Sequence, residues 1–141
     1  MTIAIINGPN LNLLGKREID IYGNEPFESY LEKLKTLFTD VSFTYFQSNI
    51  EGELIDEIQR VGFSYDGIVL NPAGYSHTSI SIGDAVAAVK APIVEVHISN
   101  IFAREEFRKH SFVSAAAVGV ISGLGLKGYE LAVQFLLQRK H

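Results

Sequence analysis

Thr2-Ile3-Ala4-Ile5-Ile6-Asn7-Gly8-Pro9-Asn10 is an apolar run that breaks into an amide, a glycine and a proline. A short apolar run ended by turn residues reads as a strand buried on both faces, as in a parallel sheet. The pattern returns at Gly67-Ile68-Val69-Leu70, which runs into Asn71-Pro72-Ala73-Gly74-Tyr75-Ser76-His77. It returns again at Ile93-Val94-Glu95-Val96, which exits into His97-Ile98-Ser99-Asn100. Buried polar side chains cost stability unless they find partners. Amides, hydroxyls and imidazoles gathered at strand exits therefore point to a binding site.

Outward from these runs, strand-like and helix-like stretches alternate with no linker or low-complexity segment. Phe27, Tyr30, Leu31, Leu34, Leu37 and Phe38 recur at helical spacing, giving a helix over Pro26–Thr39 with Pro26 in its first turn. Val41–Gln47 alternates as a second strand. Ile50–Val61 is a helix, with Gly62 as its stop. Thr78–Lys90 reads as a third helix, ended by Ala91 before Pro92. A short helix over Ala103–Lys109, a fifth strand over Ala116–Ile121 and an amphipathic helix over Tyr129–Lys140 complete the chain. Strands interleaved with helices describe a parallel α/β sheet covered on both faces. Right-handed crossovers favour a flavodoxin-like, doubly wound five-stranded sheet in the order 2-1-3-4-5. In that order strands one and three open a crevice at their carboxyl ends, where the polar exits converge.

The chain has 141 residues, enough for one domain over 1–141 with a sizeable core. A formal net charge of −4 argues against a nucleic-acid partner. The absence of cysteine rules out disulfides, thiolate chemistry and cysteine zinc sites. No apolar run reaches the roughly 20 residues that span a bilayer, so no membrane partner is expected. Met1-Thr2-Ile3 has no basic segment of the signal-peptide kind, which leaves the cytoplasm as the expected location.

Each candidate has a functional and a plainer reading. Gly123-Leu124-Gly125-Leu126-Lys127-Gly128 matches the dinucleotide fingerprint. It falls in the last β/α unit, without room for the acidic ribose-binding residue, so the glycines are read as a tight turn and a close helix–sheet approach. His77 and His97 exit different strands and can converge on a ligand, a weak two-histidine metal site included, or can be satisfied by loop backbone. His110 and His141 read as solvated. Glu95, His97 and Ser99 are spaced by two and share a face while the chain is extended. Glu95 then either orients His97 or pairs with an arginine. Arg104 and Arg108, four apart, form a carboxylate fork or a solvated pair. Gly15–Glu25, with Lys16, Arg17, Asp20 and Tyr22, is a lid or an ordinary loop. A tyrosine ordinarily titrates near pH 10 (about), so Tyr22 is a useful base only beside a cation, and Arg17 is close in sequence.

Three blocks, Gly8-Pro9-Asn10-Leu11-Asn12-Leu13-Leu14-Gly15-Lys16-Arg17 with Tyr22-Gly23, Asn71 to Ser79 and Glu95 to Ile101, closely resemble type II 3-dehydroquinate dehydratase. The resemblance extends along essentially the whole chain, as a single catalytic domain. One departure is Ile19, where many members carry proline. The resemblance implies cofactor-free and metal-free loss of water from 3-dehydroquinate, giving 3-dehydroshikimate in the shikimate pathway. It implies Tyr22 as the base at C2, Arg17 as the stabiliser of its phenolate, and Asn10, through a water, as the stabiliser of the enolate. His97 is implied as the acid, oriented by Glu95. Asn71, His77, Ile98, Ser99 and Arg108 are implied to hold substrate, and Arg104 to join the lid's arginines. It further implies trimers assembling into dodecamers, with Asp84 reaching a neighbouring subunit's site. The small apolar residues around Asp84, Ser81-Ile82-Gly83-Asp84-Ala85-Val86, suit a helix covered on both sides, by a neighbouring subunit or by the α/β layer. A competing reading of the same fold is a non-catalytic nucleotide- or FMN-binding module. It would want phosphate-cradling N–H groups after strand one, where Pro9 supplies none.

Overall fold

The computed structural model describes residues 1–139. Its sheet has five parallel strands in the order β2-β1-β3-β4-β5, with β1 Thr2–Asn7, β2 Ser42–Gln47, β3 Gly67–Asn71, β4 Ile93–His97 and β5 Gly119–Ser122. The flavodoxin-like expectation is met. Alternation along β1 explains the layering. Ile3 and Ile5 face a core built with Phe27, Leu31 and Leu34 of α2 (Phe27–Leu37) and Tyr129, Val133 and Leu136 of the last helix, Lys127–Gln138. Ala4 and Ile6 face the opposite core, with Leu54, Ile58 and Val61 of α3 (Glu51–Val61) and Ile82, Ala85 and Val86 of α4 (Ile80–Ala88). Every residue of β3 and β4 is buried, which is why these strands read as apolar runs apart from Glu95 and the strand-end Asn71 and His97. The last helix is α5, and a one-turn helix at Ile19–Tyr22 is α1.

Strands β1 and β3 pair side by side, Asn7 opposite Asn71, while the chain leaves them in opposite directions. That is the switch point of a doubly wound sheet, where ligands bind. β4 contributes Glu95 and His97 from within the strand, Glu95 opposite Leu70 and Val120, and His97 opposite Ser122.

Several boundaries differ from the sequence reading. Residues 103–109 are not a helix. Two 3-10 turns, Ile101–Ala103 and Glu106–Lys109, flank an extended Arg104 (φ −108°, ψ −154°). Asn100 caps the first by accepting the Phe102 N–H at 3.1 Å, and Arg104-Glu105-Glu106 offers no apolar stripe for a helix to bury. The helix expected over Thr78–Lys90 starts only after Ser79, whose Oγ accepts the Ile82 N–H at 2.9 Å, and residues 73–77 form a 3-10 turn. β5 starts at Gly119 because the N–H groups of Ala116 and Ala117 turn back to Val113 O. Gly62 does end α3, but in a right-handed conformation. A Cβ there would lie 2.4 Å from Val89, so close packing, not a left-handed cap, requires the glycine. The expected helix end at Lys140 and the terminal His141 lie outside the described residues.

Candidate active site

A cavity of about 260 Å³ opens at the switch point, lined by Asn10, Leu11, Arg17, Glu18, Tyr22, Asn71, Ala73, Gly74, His77, His97, Ile98, Ser99, Ile101, Arg104, Glu105 and Arg108, with Pro9 at its edge. Three non-glycine residues of the described chain have left-handed backbone: Asn10 (φ 70°), Glu18 (φ 42°) and Ala73 (φ 54°). All three line this cavity. Strain of this kind is stored where the surrounding structure needs a particular backbone path.

α1 carries Tyr22 to the cavity between Gly15 (φ 87°) and Gly23 (φ 82°). Arg104 Nη1–H donates to the Tyr22 phenol oxygen at 2.8 Å and to Ser99 Oγ at 3.3 Å. Arg17 lies over the ring, its guanidinium carbon 4.6 Å from the centroid, and pairs with Glu18 at 2.5 Å. Both guanidiniums lie against the Tyr22 ring, and Arg104 is the one in contact with its oxygen. Burial pushes the core tyrosines Tyr30 and Tyr45 up to about 12, further from ionisation than a free phenol.

On β4, His97 Nε2–H donates to Glu95 Oε2 at 2.5 Å, which leaves Nδ1 without a protein partner among the described residues. Glu95 is fully buried and, among the described residues, pairs with no arginine. Its carboxylate also accepts from Ser114 Oγ at 2.6 Å and Ser111 Oγ at 3.1 and 3.2 Å. Burial drives the Glu95 carboxyl up, but hydrogen bonds from His97 and Ser114, the His97 charge and the Ser111 hydrogen bond outweigh it, holding the group below the usual carboxylate range.

His77 Nδ1–H donates to His110 O at 2.7 Å, and its ring stacks on His97, centroids 6.1 Å apart and planes 18° from parallel. Stacked faces do not converge two nitrogens on one ion. Among the described residues no group of three or more His, Asp or Glu side chains is placed to hold a metal. Burial is the main cause of a His77 pKa below that of a free imidazole, with the charges of His97 and Arg108 adding to it and the His110 hydrogen bond opposing it.

Asn71 turns its amide between the cavity and the core. Its Nδ2–H donates to Tyr129 Oη at 2.9 Å and its Oδ1 accepts the Ala73 N–H at 3.0 Å. Tyr129 Oη–H donates in turn to Asn7 Oδ1 at 2.8 Å. Arg108 lies on the cavity wall with its Nε–H 2.5 Å from Glu105, which also sits 3.8 Å from Arg104. The sequence reading missed Glu105, Ser111, Ser114 and Tyr129. Glu105 was visible as the acid between two candidate arginines, whereas the others carry no local signal. Asp84 is not in the cavity. It is exposed on α4, in a separate groove with Ile80, Gly83, Ala87, Phe112, Ala115 and Ala116.

The family model for class II dehydroquinase matches residues 1–137. A 3-dehydroquinate dehydratase of Clostridium botulinum (strain Hall) is 53% identical over 137 residues, covering 96% of this chain and 93% of the relative. One from Aliarcobacter butzleri is 53% identical over 140 residues, covering 98% and 85%. The crystal structure of type II dehydroquinase from Butyrivibrio crossotus superposes with a TM-score of 0.94 at 46% identity, covering 98% of each chain.

The chain belongs to the class II dehydroquinase family.

The loop after β1 is not a phosphate cradle. Gly8 N–H is spent on Asn71 O at 2.8 Å, Asn10 N–H on Asn49 Oδ1 at 2.9 Å and Leu11 N–H on Gly8 O at 3.4 Å, and Pro9 has none. The nucleotide-binding alternative is therefore not favoured. In the Gly123–Gly128 run, residues 123–126 form a turn with Gly123 (φ 91°) and Gly125 (φ 63°) left-handed, and α5 begins at Lys127. At Gly128 a Cβ would meet Val96 at 3.2 Å and Ile121 at 3.3 Å, so this glycine lets α5 approach the sheet. Ile19 is the first residue of α1, a position where proline is also at home.

Proposed function

We propose that this chain dehydrates 3-dehydroquinate to 3-dehydroshikimate in the shikimate pathway, as a hydro-lyase using side chains alone. The observation that carries the reading is one cavity holding a phenol oxygen in contact with a guanidinium, and an imidazole backed by a buried carboxylate. These are the two ends of an acid–base elimination. Tyr22, as phenolate, takes the proton from C2 beside the ketone. Arg104 stabilises its oxygen directly and Arg17 adds its charge over the ring. The electron pair moves into the ketone to give an enolate, which Asn10 stabilises through a water. As the enolate collapses, His97 protonates the C1 hydroxyl, which leaves as water, and Glu95 holds the imidazole in place. Asn71, His77, the Ile98 and Ser99 backbone and Arg108 bind the carboxylate and hydroxyls. The arrangement of these groups around one cavity supports the assignments.

The reading extends to a cytoplasmic location, checked by immunoblotting of cell fractions. It extends also to trimers assembling into dodecamers, in which Asp84 completes an adjacent site. Support comes from the exposed groove beside Asp84, where Ile80 is 60% and Phe112 37% exposed. Mixing Tyr22→Phe and Asp84→Ala chains after dissociation tests shared sites: recovered activity is expected, and none despite confirmed mixing refutes them. For the reaction, purified protein given 3-dehydroquinate in EDTA should develop enone absorbance. A protein that turns nothing over, or that needs added metal, refutes the reading.

A further inference from the structure

The segment from His110 to Ser114 holds both cavity imidazoles from behind. His110 O accepts from His77 Nδ1, and the Phe112 N–H donates to Ser76 O at 2.8 Å. Ser111 Oγ–H spans both oxygens of Glu95, while its own oxygen accepts the N–H groups of Val113 at 3.1 Å and Ser114 at 3.2 Å. Ser114 Oγ–H, at 2.6 Å from Oε1, makes the shorter contact and has no backbone duty. Glu95 thus accepts from three side chains, two of which never lose their protons in the working range. An ionised carboxylate with no exposure is costly unless its lone pairs are met. His97 alone meets one oxygen.

We propose that Ser114, with Ser111, is a positioning residue that keeps Glu95 anionic, so that His97 Nε2–H has a charged acceptor and Nδ1 is left to carry the transferable proton. This rests on His97 being the acid of the proposed reaction. The 73–77 turn brings His77, stacked on His97. The 101–109 turns bring Arg104, Glu105 and Arg108, and the lid brings Arg17, Glu18 and Tyr22, all on the cavity wall. The 110–114 segment adds His110, whose ring packs edge-on to Phe112. α4, on the same face of β4, brings Asp84, which lines the outer groove instead. None of these donates to Glu95, so the two hydroxyls are its neutral, permanent donors among the described residues. The depressed Glu95 carboxyl accords with this.

The test is Ser114→Ala in the full chain, read by ¹³C NMR titration of the Glu95 carboxyl, assigned with Glu95→Gln, and by kcat and KM across pH. Losing a donor to the charged form raises the carboxyl's proton affinity, so its titration should move up by roughly one pH unit. The acid limb of kcat should move up with it, kcat should fall several-fold with KM little changed, and Ser114→Thr should restore both. A folded Ser114→Ala whose Glu95 titration stays in place overturns the proposal. A Glu95 titration that moves without any change in the kcat profile supports the clamp and removes His97 from the acid role. If Ser114→Ala does not fold, Ser114→Cys, a weaker donor in the same place, gives the same comparison.

Discussion

Replacing Tyr129 with phenylalanine removes one oxygen from the centre of the molecule and tests how the core supports the site. The ring is fully buried and packs edge-on against Phe27 at 4.9 Å between centroids, contacts that phenylalanine keeps. Burial pushes the phenol well up, so the hydroxyl retains its proton and donates to Asn7 Oδ1 while accepting from Asn71 Nδ2. Without it the Asn7 oxygen, in a residue with 0% exposure, has lost its donor. An orphaned buried polar group costs about 1–3 kcal/mol. The Asn71 amide borders the cavity and can turn to water, so its loss is the smaller. The sum is about 2–3 kcal/mol. With an unfolding entropy of about 2.1 cal/mol/K per residue, a chain this long loses roughly 3.4 °C per kcal/mol, so Tm should fall by about 7–10 °C. Thermal melts of parent and variant at one protein concentration measure this, since association adds to apparent stability. The freed Asn71 also loosens its hold on the Ala73 N–H and hence on a left-handed backbone at the cavity wall, so KM should rise more than kcat falls. A melt within about 1 °C of the parent, far below the cost of an orphaned buried group, together with an unchanged KM, would refute the reasoning.

Arg104→Met should move the rising limb of kcat/KM to higher pH further than Arg17→Met does, because Arg104 contacts the phenol oxygen at 2.8 Å while Arg17 lies over the ring face. Equal shifts in pH–rate profiles would remove that ordering. His77, held below the free imidazole value by burial, makes stability pH-dependent: the unfolded chain takes up the proton first, so stability falls as pH drops below about 6.5. His77→Gln should flatten urea midpoints between about pH 7 and 5, a window separate from the depressed Glu95 carboxyl, which acts below about 4.3; a slope equal to the parent's contradicts the assignment.

The central strands were legible because burial on both faces leaves apolar residues, Glu95 apart, until the chain exits, and the exits announce themselves as Asn7-Gly8-Pro9, Asn71-Pro72 and His97-Ile98-Ser99. Strand spacing offered the Glu95–His97 pair as one of two readings, and Arg17 stood near Tyr22 along the chain; the contacts themselves come from the fold. Contacts made only by folding were not legible. Arg104 reaches Tyr22 across 82 positions, Ser114 reaches Glu95 across 19, and Tyr129 reaches Asn7 across 122. Tyr129 looks like any apolar-face residue of an amphipathic helix, and its hydroxyl's task depends on where β1 ends. Arg104 and Arg108 satisfied helical spacing without a helix. They line the same cavity because two tight turns bring them there.

The proton-abstracting oxygen is the centre of the account, and Tyr22→Phe removes it while leaving the ring under Arg17. Turnover of 3-dehydroquinate, followed as enone absorbance with substrate affinity measured on the same preparation, tests it most directly. The account predicts a rate lower by about 10²-fold or more with affinity largely kept, the scale of losing a general base. A folded variant that keeps more than about a tenth of the parent rate would contradict it.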